Sequence, residues 1–158
     1  MAGLLLGLTV LMSPLTAVAS PLDSVDFWLD AHRWEHRLLF VFAPSASDAD
    51  LREQRAAFRE QAAGFRDRDL LLLTLTGDGE KGKFQAEPGG GARPLTTAAV
   101  RRLYDRFRVD PSEFRIVLVG KDGTEKRRDP APVTARSLFD TIDAMPMRQR
   151  EMREGDGP

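Results

Sequence analysis

The chain has 158 residues, which is enough for one compact domain with a hydrophobic core. Its 23 basic and 24 acidic residues give a formal net charge of -1, which excludes a general attraction to nucleic acid or to an anionic membrane. The chain contains no cysteine, so a disulfide framework, a thiolate nucleophile and cysteine-based oxidoreductase or peroxidase chemistry are excluded.

The first residues of the chain resemble a secretory signal peptide. An apolar run at residues 4–12 is followed by the helix breaker Pro14 and by an Ala-x-Ala cleavage pattern that ends at Ala19. We therefore predict that residues 1–19 are a signal peptide and that the protein is bacterial, either periplasmic or secreted. No basic residue precedes the run, so a retained membrane anchor is the alternative. The short, interrupted run argues against stable anchoring.

The first half of the mature chain predicts a helix, a strand, a helix and a strand. Residues 20–33 are predicted as an N-terminal helical segment. Residues 38–42 form a continuous apolar run, which is typical of a strand covered on both faces. A long helix capped by Ser47 or Asp48 follows, and a second apolar strand occupies residues 70–75.

The second half predicts a loop, a helix, a hairpin and a last helix. Residues 77–94 are polar and glycine-rich, and we predict either a functional flap or a disordered loop there. After the next helix, strands at residues 114–119 and 125–128 form a hairpin around an Asp-Gly turn. The charged tail at residues 147–158 is expected to fray after the last helix.

This order of elements predicts an α/β protein with a thioredoxin-like fold. A parallel βαβ unit, a helix, an antiparallel hairpin and a C-terminal helix would form a central mixed sheet of about four strands with flanking helices. We predict that this domain occupies residues 34–146.

Four short motifs carry a resemblance to a known family. They are Trp34-x-x-Arg37-Leu38-Leu39, Phe42-Ala43-Pro44-Ser45, Val119-Gly120-Lys121-Asp122-Gly123 and Ala144-Met145-Pro146-Met147-Arg148. In combination they resemble the P-DUDES domain, a bacterial domain of unknown function shared with animal extracellular proteins, including sushi-repeat-containing ones. The resemblance implies a thioredoxin-like fold related to peroxiredoxins, in exported proteins, with no established activity and no known catalytic residues.

The loop after the first strand is the predicted functional site. Peroxiredoxins hold their reactive cysteine at this point, whereas this chain has Pro44-Ser45-Ala46-Ser47. Arg115 is similar to the arginine that peroxiredoxins hold near their peroxide site. Free N–H groups at a helix start, two hydroxyls and a guanidinium suit a small anion or carboxylate, so we predict a ligand site at Pro44, Ser45, Ser47 and Arg115. The alternative is that Ser47 only caps the helix and Arg115 pairs with a surface acid.

Other chemistries have less support in the sequence. A serine nucleophile needs a base and an orienting acid, and the only histidines in the chain are His32 and His36. The loop also lacks the G-x-S-x-G motif of serine hydrolases. The i, i+4 spacing of these histidines would supply only two metal ligands. Met145, Met147 and Met152 suit cuprous ion but more often pack a helix end. We predict no catalytic residue, no metal site and no cofactor.

These observations predict a non-catalytic binding or interaction module whose functional face is the Ser45–Ser47 loop. Its partner would be an unidentified protein or a small anionic ligand, and not a nucleic acid. The alternative is a cysteine-independent enzyme derived from a peroxiredoxin, which would use Ser45, Ser47 and Arg115. An enzyme should show a polar pocket at this loop, whereas an interaction module should show an exposed apolar patch.

Overall fold

The computed structural model describes residues 29–77, 82–85 and 93–155. The strands and helices in chain order are β1 Arg37–Ala43, α1 Ala49–Phe58, α2 Ala62–Asp67, β2 Leu70–Thr76, β3 Gly82–Gln85, β4 Arg93–Leu95, α3 Thr97–Phe107, β5 Arg115–Val119, β6 Glu125–Asp129, α4 Ala135–Asp143 and α5 Pro146–Gly155. The predicted signal peptide lies outside the described residues. Of the predicted N-terminal helical segment, residues 29–33 are described; residues 29–31 are helical and residues 32–33 form a turn.

A mixed sheet with the strand order β4-β3-β2-β1-β5-β6 forms the centre of the fold. β1 is parallel to β2 and antiparallel to β5, and β6 continues the sheet antiparallel to β5. These are the four predicted strands, and with their flanking helices they confirm the predicted α/β, thioredoxin-like class.

The segment predicted as a loop at residues 77–94 contains two more strands, so the prediction of a loop without secondary structure is wrong. β3 pairs antiparallel with β2, and β4 pairs antiparallel with β3. Both strands are short and lie in a polar stretch rich in glycine and proline, so they lack an alternating apolar pattern. Pro94 is compatible with a strand here because β4 is at the edge of the sheet.

β1 is the centre of the core because helices cover both of its faces. Its residues are all buried and alternate between two apolar clusters. Leu38, Phe40 and Phe42 pack with α3, while Leu39, Val41 and Ala43 pack with residues of α1, α2 and α4. Both faces of the strand are covered at residues 38–43, which explains their continuous apolar sequence, while the buried Arg37 at the start of the strand makes hydrogen bonds and an ion pair.

The helix predicted after residue 48 is in fact two helices, α1 and α2, with a break between them. Asp48 caps α1 by accepting a hydrogen bond from the backbone N–H of Leu51 at 3.0 Å. The break lets Phe65 of α2 pack edge-to-face on both Phe58 and Phe139, with ring centroids 5.1 and 5.8 Å apart. The break therefore allows the rings of both helices to pack together, which one continuous helix would not allow in the same arrangement.

The prediction that the C-terminal tail frays is wrong for its described part. The tail forms α5 as far as Gly155, and ion pairs fix this helix to the domain. Arg148 is only 7% exposed, and its Nη1 donates to the backbone carbonyl of Asp67 at 2.7 Å. The many charges of the tail suggested a solvated segment, but some of them pair with charges in the body of the domain. None of the described helices is long and apolar enough to cross a membrane.

Candidate functional site

The predicted site begins where β1 ends. Pro44 and Ser45 are half-buried and Ser47 is exposed, and the two serine hydroxyl oxygens lie 3.1 Å apart, so each hydroxyl has the other as a hydrogen-bond partner. Asp48 rather than Ser47 caps α1. The Asp48 carboxylate adds negative charge at the helix start, which weakens the attraction of this end for an anion.

Arg115 lies at the same edge of the sheet as this loop but is engaged elsewhere. It is paired in register with Phe42 of β1, next to the end of that strand. Its guanidinium Nη2 donates to the Glu113 carboxylate at 2.7 Å. An anion held by Ser45, Ser47 and Arg115 would compete with Glu113, and the four-residue ligand site stays a prediction.

The two histidines lie at the opposite end of β1 from these serines. A strand rises by ~3.3 Å per residue, so the seven residues of β1 separate the two ends by ~20 Å. The Nδ1 atoms of His32 and His36 are 3.3 Å apart. Burial, and then the nearby charge of His36, lower the pKa of His32. Neither histidine can therefore serve as a base for Ser45 or Ser47.

Metal binding gains no support from the part of the chain that the structure describes. Within residues 29–77, 82–85 and 93–155, no three His, Asp or Glu side chains form a group that could hold a metal ion.

A cavity of about 290 Å³ lies at the amino end of β1, where the sequence predicted no site. The start of β1, the β5–β6 turn and the start of α5 surround it. Its lining residues are Arg37, Gly120, Lys121, Asp122, Lys126, Met145, Pro146 and Met147.

Arg37 is the most buried charged residue of this cavity, with 1% of its surface exposed. Its Nη1 donates to the carbonyl of Arg68 at 2.8 Å, and its Nη2 donates to both carboxylate oxygens of Glu151 at 3.1 and 3.0 Å. Its Nε is buried and has no hydrogen-bond partner. A buried donor without an acceptor costs free energy, so this guanidinium has capacity for one more acceptor.

Lys121 is the second buried cation at this end, and it shares Glu151 with Arg37. Its Nζ lies 2.8 Å from a carboxylate oxygen of Asp69 and 2.8 Å from one of Glu151. Burial raises the pKa of Glu151, but the hydrogen bond and charge of Lys121 and Arg37 outweigh it and hold this pKa below its ordinary value. Glu151 is therefore the shared counter-ion of two buried cations.

A second group of ion pairs fixes α5 beside this cavity. Arg148 of α5 pairs with Asp67 and Asp143, and Arg68 also pairs with Asp143. Burial alone would raise the pKa of Asp143, but the hydrogen bonds and charges of Arg68 and Arg148 outweigh burial and hold this pKa below its ordinary value. These pairs connect α5 to the ends of α2 and α4.

Trp34 is the large apolar side chain that the described residues leave exposed, with 63% of its surface accessible. It lies just before β1 and has a φ of 68°, in the left-handed region. Its backbone N–H donates to the carbonyl of Lys121 at 2.7 Å. Trp34 is thus attached to the same β5–β6 turn that forms one side of the cavity.

The family described as Domain of unknown function (DUF4174) matches residues 28–151. The chain belongs to the DUF4174 family. This membership, with the relatives and structures described next, confirms the predicted thioredoxin-like family of unknown function that is shared with animal proteins.

Animal proteins are among the relatives of this DUF4174 domain. It is 29% identical over 138 residues to coiled-coil domain-containing protein 80 of Danio rerio, covering 82% of this chain and 16% of the relative. It is 27% identical to sushi repeat-containing protein SRPX2 of Xenopus laevis, covering 84% and 28%. It is 30% identical to human sushi repeat-containing protein SRPX, covering 78% and 26%. The chain therefore spans less than a third of each of these relatives.

Solved structures of peroxiredoxins share the fold of this DUF4174 domain. Reduced 2-Cys peroxiredoxin of Plasmodium vivax superposes with a TM-score of 0.57 at 15% identity, covering 78% of this chain and 84% of that one. Thioredoxin peroxidase I of Plasmodium yoelii gives a TM-score of 0.55 at 16% identity, covering 82% of each chain. At these identities the likeness shows the fold alone.

Three of the four motifs that carry the family resemblance meet at the cavity of the DUF4174 domain. Arg37 comes from the first motif, Gly120, Lys121 and Asp122 from the turn motif, and Met145–Met147 from the last motif. The second motif, which ends at Ser45, lies at the other end of β1. Two sequence features could have indicated this site. An arginine opens an apolar strand, and a Met-Pro-Met-Arg run stands at the start of a charged helix. The sequence did not show that the two lie side by side.

Proposed function

We propose that this DUF4174 domain is a non-catalytic binding module that contacts a partner protein through the amino end of its sheet. The exposed side chain of Trp34 carries the proposal, because tryptophan is enriched at protein–protein interfaces and among the residues that contribute most binding energy there. This moves the functional face from the Ser45–Ser47 loop, whose exposed residues are small and polar.

The backbone around Trp34 supports a role in recognition. A left-handed conformation costs a bulky residue ~1–3 kcal/mol, so a structure keeps it only when other contacts fix it. Here the hydrogen bond from Trp34 to Lys121 provides that contact, and Arg33 donates to the carbonyl of Asp122 in the same turn at 3.3 Å. A backbone held in place before binding loses less conformational entropy when a partner binds.

The arrangement at the other end of the sheet supports binding over catalysis. The chain has no thiol, the hydroxyls of Ser45 and Ser47 contact each other, and both histidines lie at the remote end of β1. A cysteine-independent enzyme at Ser45, Ser47 and Arg115 would therefore lack a histidine base. The matched region is also a minor part of the animal relatives, as expected of a module that works beside other domains.

A capture experiment with the tagged protein tests the proposal. Wild type, Trp34→Ser and the double variant Ser45→Ala/Ser47→Ala are incubated with a periplasmic extract, and bound proteins are quantified by mass spectrometry. We expect a protein that wild type and the serine variant retain equally and that Trp34→Ser loses at least tenfold. Equal capture by Trp34→Ser, or loss through the serine variant alone, would contradict the assignment of this face.

A small-anion site at Pro44, Ser45, Ser47 and Arg115 is the second candidate function. The 3.1 Å separation of the two serine hydroxyls, at the start of α1 and on the same edge as Arg115, favours it. Calorimetric titration with phosphate should give heat for wild type, none for Arg115→Ala and more for Glu113→Gln, which frees the guanidinium. Null titrations of all three proteins would dismiss this site.

A further inference from the structure

We propose that the cavity at the amino end of β1 binds a small carboxylate with an apolar body. The site is distinct from the Ser45 loop, and it does not depend on Trp34 acting as a protein contact. The proposal rests on the charge of the lining, on hydrogen-bond donors that lack acceptors, and on three apolar residues beside them.

The charge of the lining favours an anion. Arg37, Lys121 and Lys126 line the cavity, and Asp122 is the one acid among the lining residues. Asp69 and Glu151 pair with Lys121 and Arg37 and neutralise part of this charge, but they are not among the lining residues. The surface that a ligand meets therefore has more cations than carboxylates.

The donors of these cations exceed the acceptors around them. An ammonium group has three N–H donors, and the described contacts of Lys121 Nζ use two carboxylates, while those of Lys126 Nζ use Asp122 at 2.7 Å. The buried Nε of Arg37 has no acceptor. A ligand carboxylate has two oxygens that accept hydrogen bonds, so it matches the remaining N–H donors of Lys121 and Lys126, two lysines that line the cavity.

The opposite part of the lining is apolar. Met145, Pro146 and Met147 supply two thioether side chains and a ring, and methionine adapts its shape to an apolar ligand. The neighbouring cations repel a metal ion, so these thioethers are suited to packing and not to copper ligation. The ligand therefore carries an apolar group beside its carboxylate.

The size of the cavity limits this ligand to a small molecule. Its volume of about 290 Å³ is at the lower end of the usual range for ligand pockets, roughly 300–1,000 Å³. The three motifs that surround it are separated along the chain and adjacent in space. A purely structural ion-pair cluster would not need an apolar cavity beside it.

Calorimetric titration of the folded protein with three probes tests the ligand class. Sodium octanoate has the charge and the chain, 1-octanol has the chain alone, and phosphate has charge alone. We expect saturable binding of octanoate and at least tenfold weaker binding of the other two. Equal binding of octanol would show a cavity without charge recognition, equal binding of phosphate would show a simple anion site, and either result would overturn the proposal.

Variants at the edge of the cavity locate the binding site. Lys126→Met removes a charge and keeps an apolar stem, and Met147→Glu places an acid in the apolar part. Each should weaken octanoate binding at least tenfold while circular dichroism shows a folded protein. Arg136→Met, an equal loss of charge at an exposed position of α4, should leave binding unchanged.

Failure of this proposal is separable from failure of the proposed partner surface. Trp34→Ser should bind octanoate as wild type does, because Trp34 is not among the lining residues. Absence of octanoate binding by folded wild type would overturn the ligand proposal and leave the capture experiment unaffected.

Discussion

Glu151 is the residue on which two buried cations depend. It receives hydrogen bonds from Arg37 and an ion pair from Lys121, both of which are at least nine-tenths buried. Buried ion pairs contribute little net stability as a pair, but loss of one partner leaves an uncompensated charge. The effect of a substitution at Glu151 should therefore exceed that of a substitution at an exposed acid of the same helix.

Glu151→Gln should lower the free energy of unfolding by about 3 kcal/mol, because the neutral amide cannot balance Arg37 and Lys121. Urea denaturation followed by circular dichroism measures the change. Glu154→Gln, at an exposed position of the same helix, is the matched control and should stay within about 0.5 kcal/mol of wild type. Equal midpoints for the two variants would show that the shared counter-ion is unimportant.

Gly77 is needed where β2 ends because a side chain has no space there. Its N–H donates to the carbonyl of Ala43 at 2.8 Å, and an added Cβ would overlap the backbone carbonyl of Pro111. Gly77→Ala should therefore destabilise the domain by about 3 kcal/mol, since backbone and not a flexible side chain must move. Thermal unfolding compared with Gly155→Ala, where the new methyl group meets open space, provides the control. A stabilised Gly77→Ala variant would contradict the contact.

At the scale of elements, α5 is attached to the rest of the domain mainly through charge. Its Arg148 and Glu151 contact the end of α2, the end of α4, the start of β1 and the β5–β6 turn. A helix fixed by carboxylates responds to acid more than one fixed by apolar packing. The pKa values of Glu151 and Asp143 are lowered in the folded protein, so these groups couple stability to pH.

The free energy of unfolding should decrease in acid, because the pKa values of Glu151 and Asp143 are lower in the folded protein than in the unfolded chain. Their lowered pKa values mean that the unfolded chain binds protons first, so their contribution is complete above the unfolded-state pKa of about 4 and is lost as pH falls through the lower folded-state values. Urea midpoints should fall slightly between about pH 7 and pH 5, where the lowered pKa of His32 lets the unfolded chain bind a proton first, and should fall more steeply below about pH 4 as the two carboxyl groups titrate. Glu151→Gln should show a shallower fall. Identical slopes would mean that other groups govern acid unfolding.

At the scale of the whole molecule, the two ends of one sheet have different characters. The carboxyl end of β1 has small hydroxyl-bearing residues and Arg115, at the position where the peroxiredoxin resemblance implies chemistry. The amino end has an exposed tryptophan, a cavity and two buried cations. This asymmetry is the basis for expecting binding at the amino end.

Export predicts a specific N-terminus for the mature protein. When the full chain is expressed in a Gram-negative host, the protein should appear in the periplasmic fraction and begin at Ser20, because cleavage is expected after Ala19. Mass spectrometry of the intact protein measures the start. Recovery from the membrane fraction with residues 1–19 retained would instead support the anchor alternative.

Local sequence patterns predicted the elements whose burial is decided locally. The run at residues 38–42 could only be a doubly covered strand, and the Asp-Gly pair fixed the turn between β5 and β6. β3 and β4 were missed because they depend on pairing with β2 and not on their own sequence. The cavity was missed for the same reason, since Arg37, Lys121 and Met147 become neighbours only after the sheet and α5 have assembled.

The contact between Arg37 and Glu151 also sets a time order for folding. It joins residues 114 positions apart, the first residue of β1 to the last helix. While the chain is being synthesised, Arg37 has no counter-ion until α5 has left the ribosome, so the amino-terminal half cannot reach its final stability early. The first strand of the sheet therefore gains its last stabilising contact only when the final helix has folded.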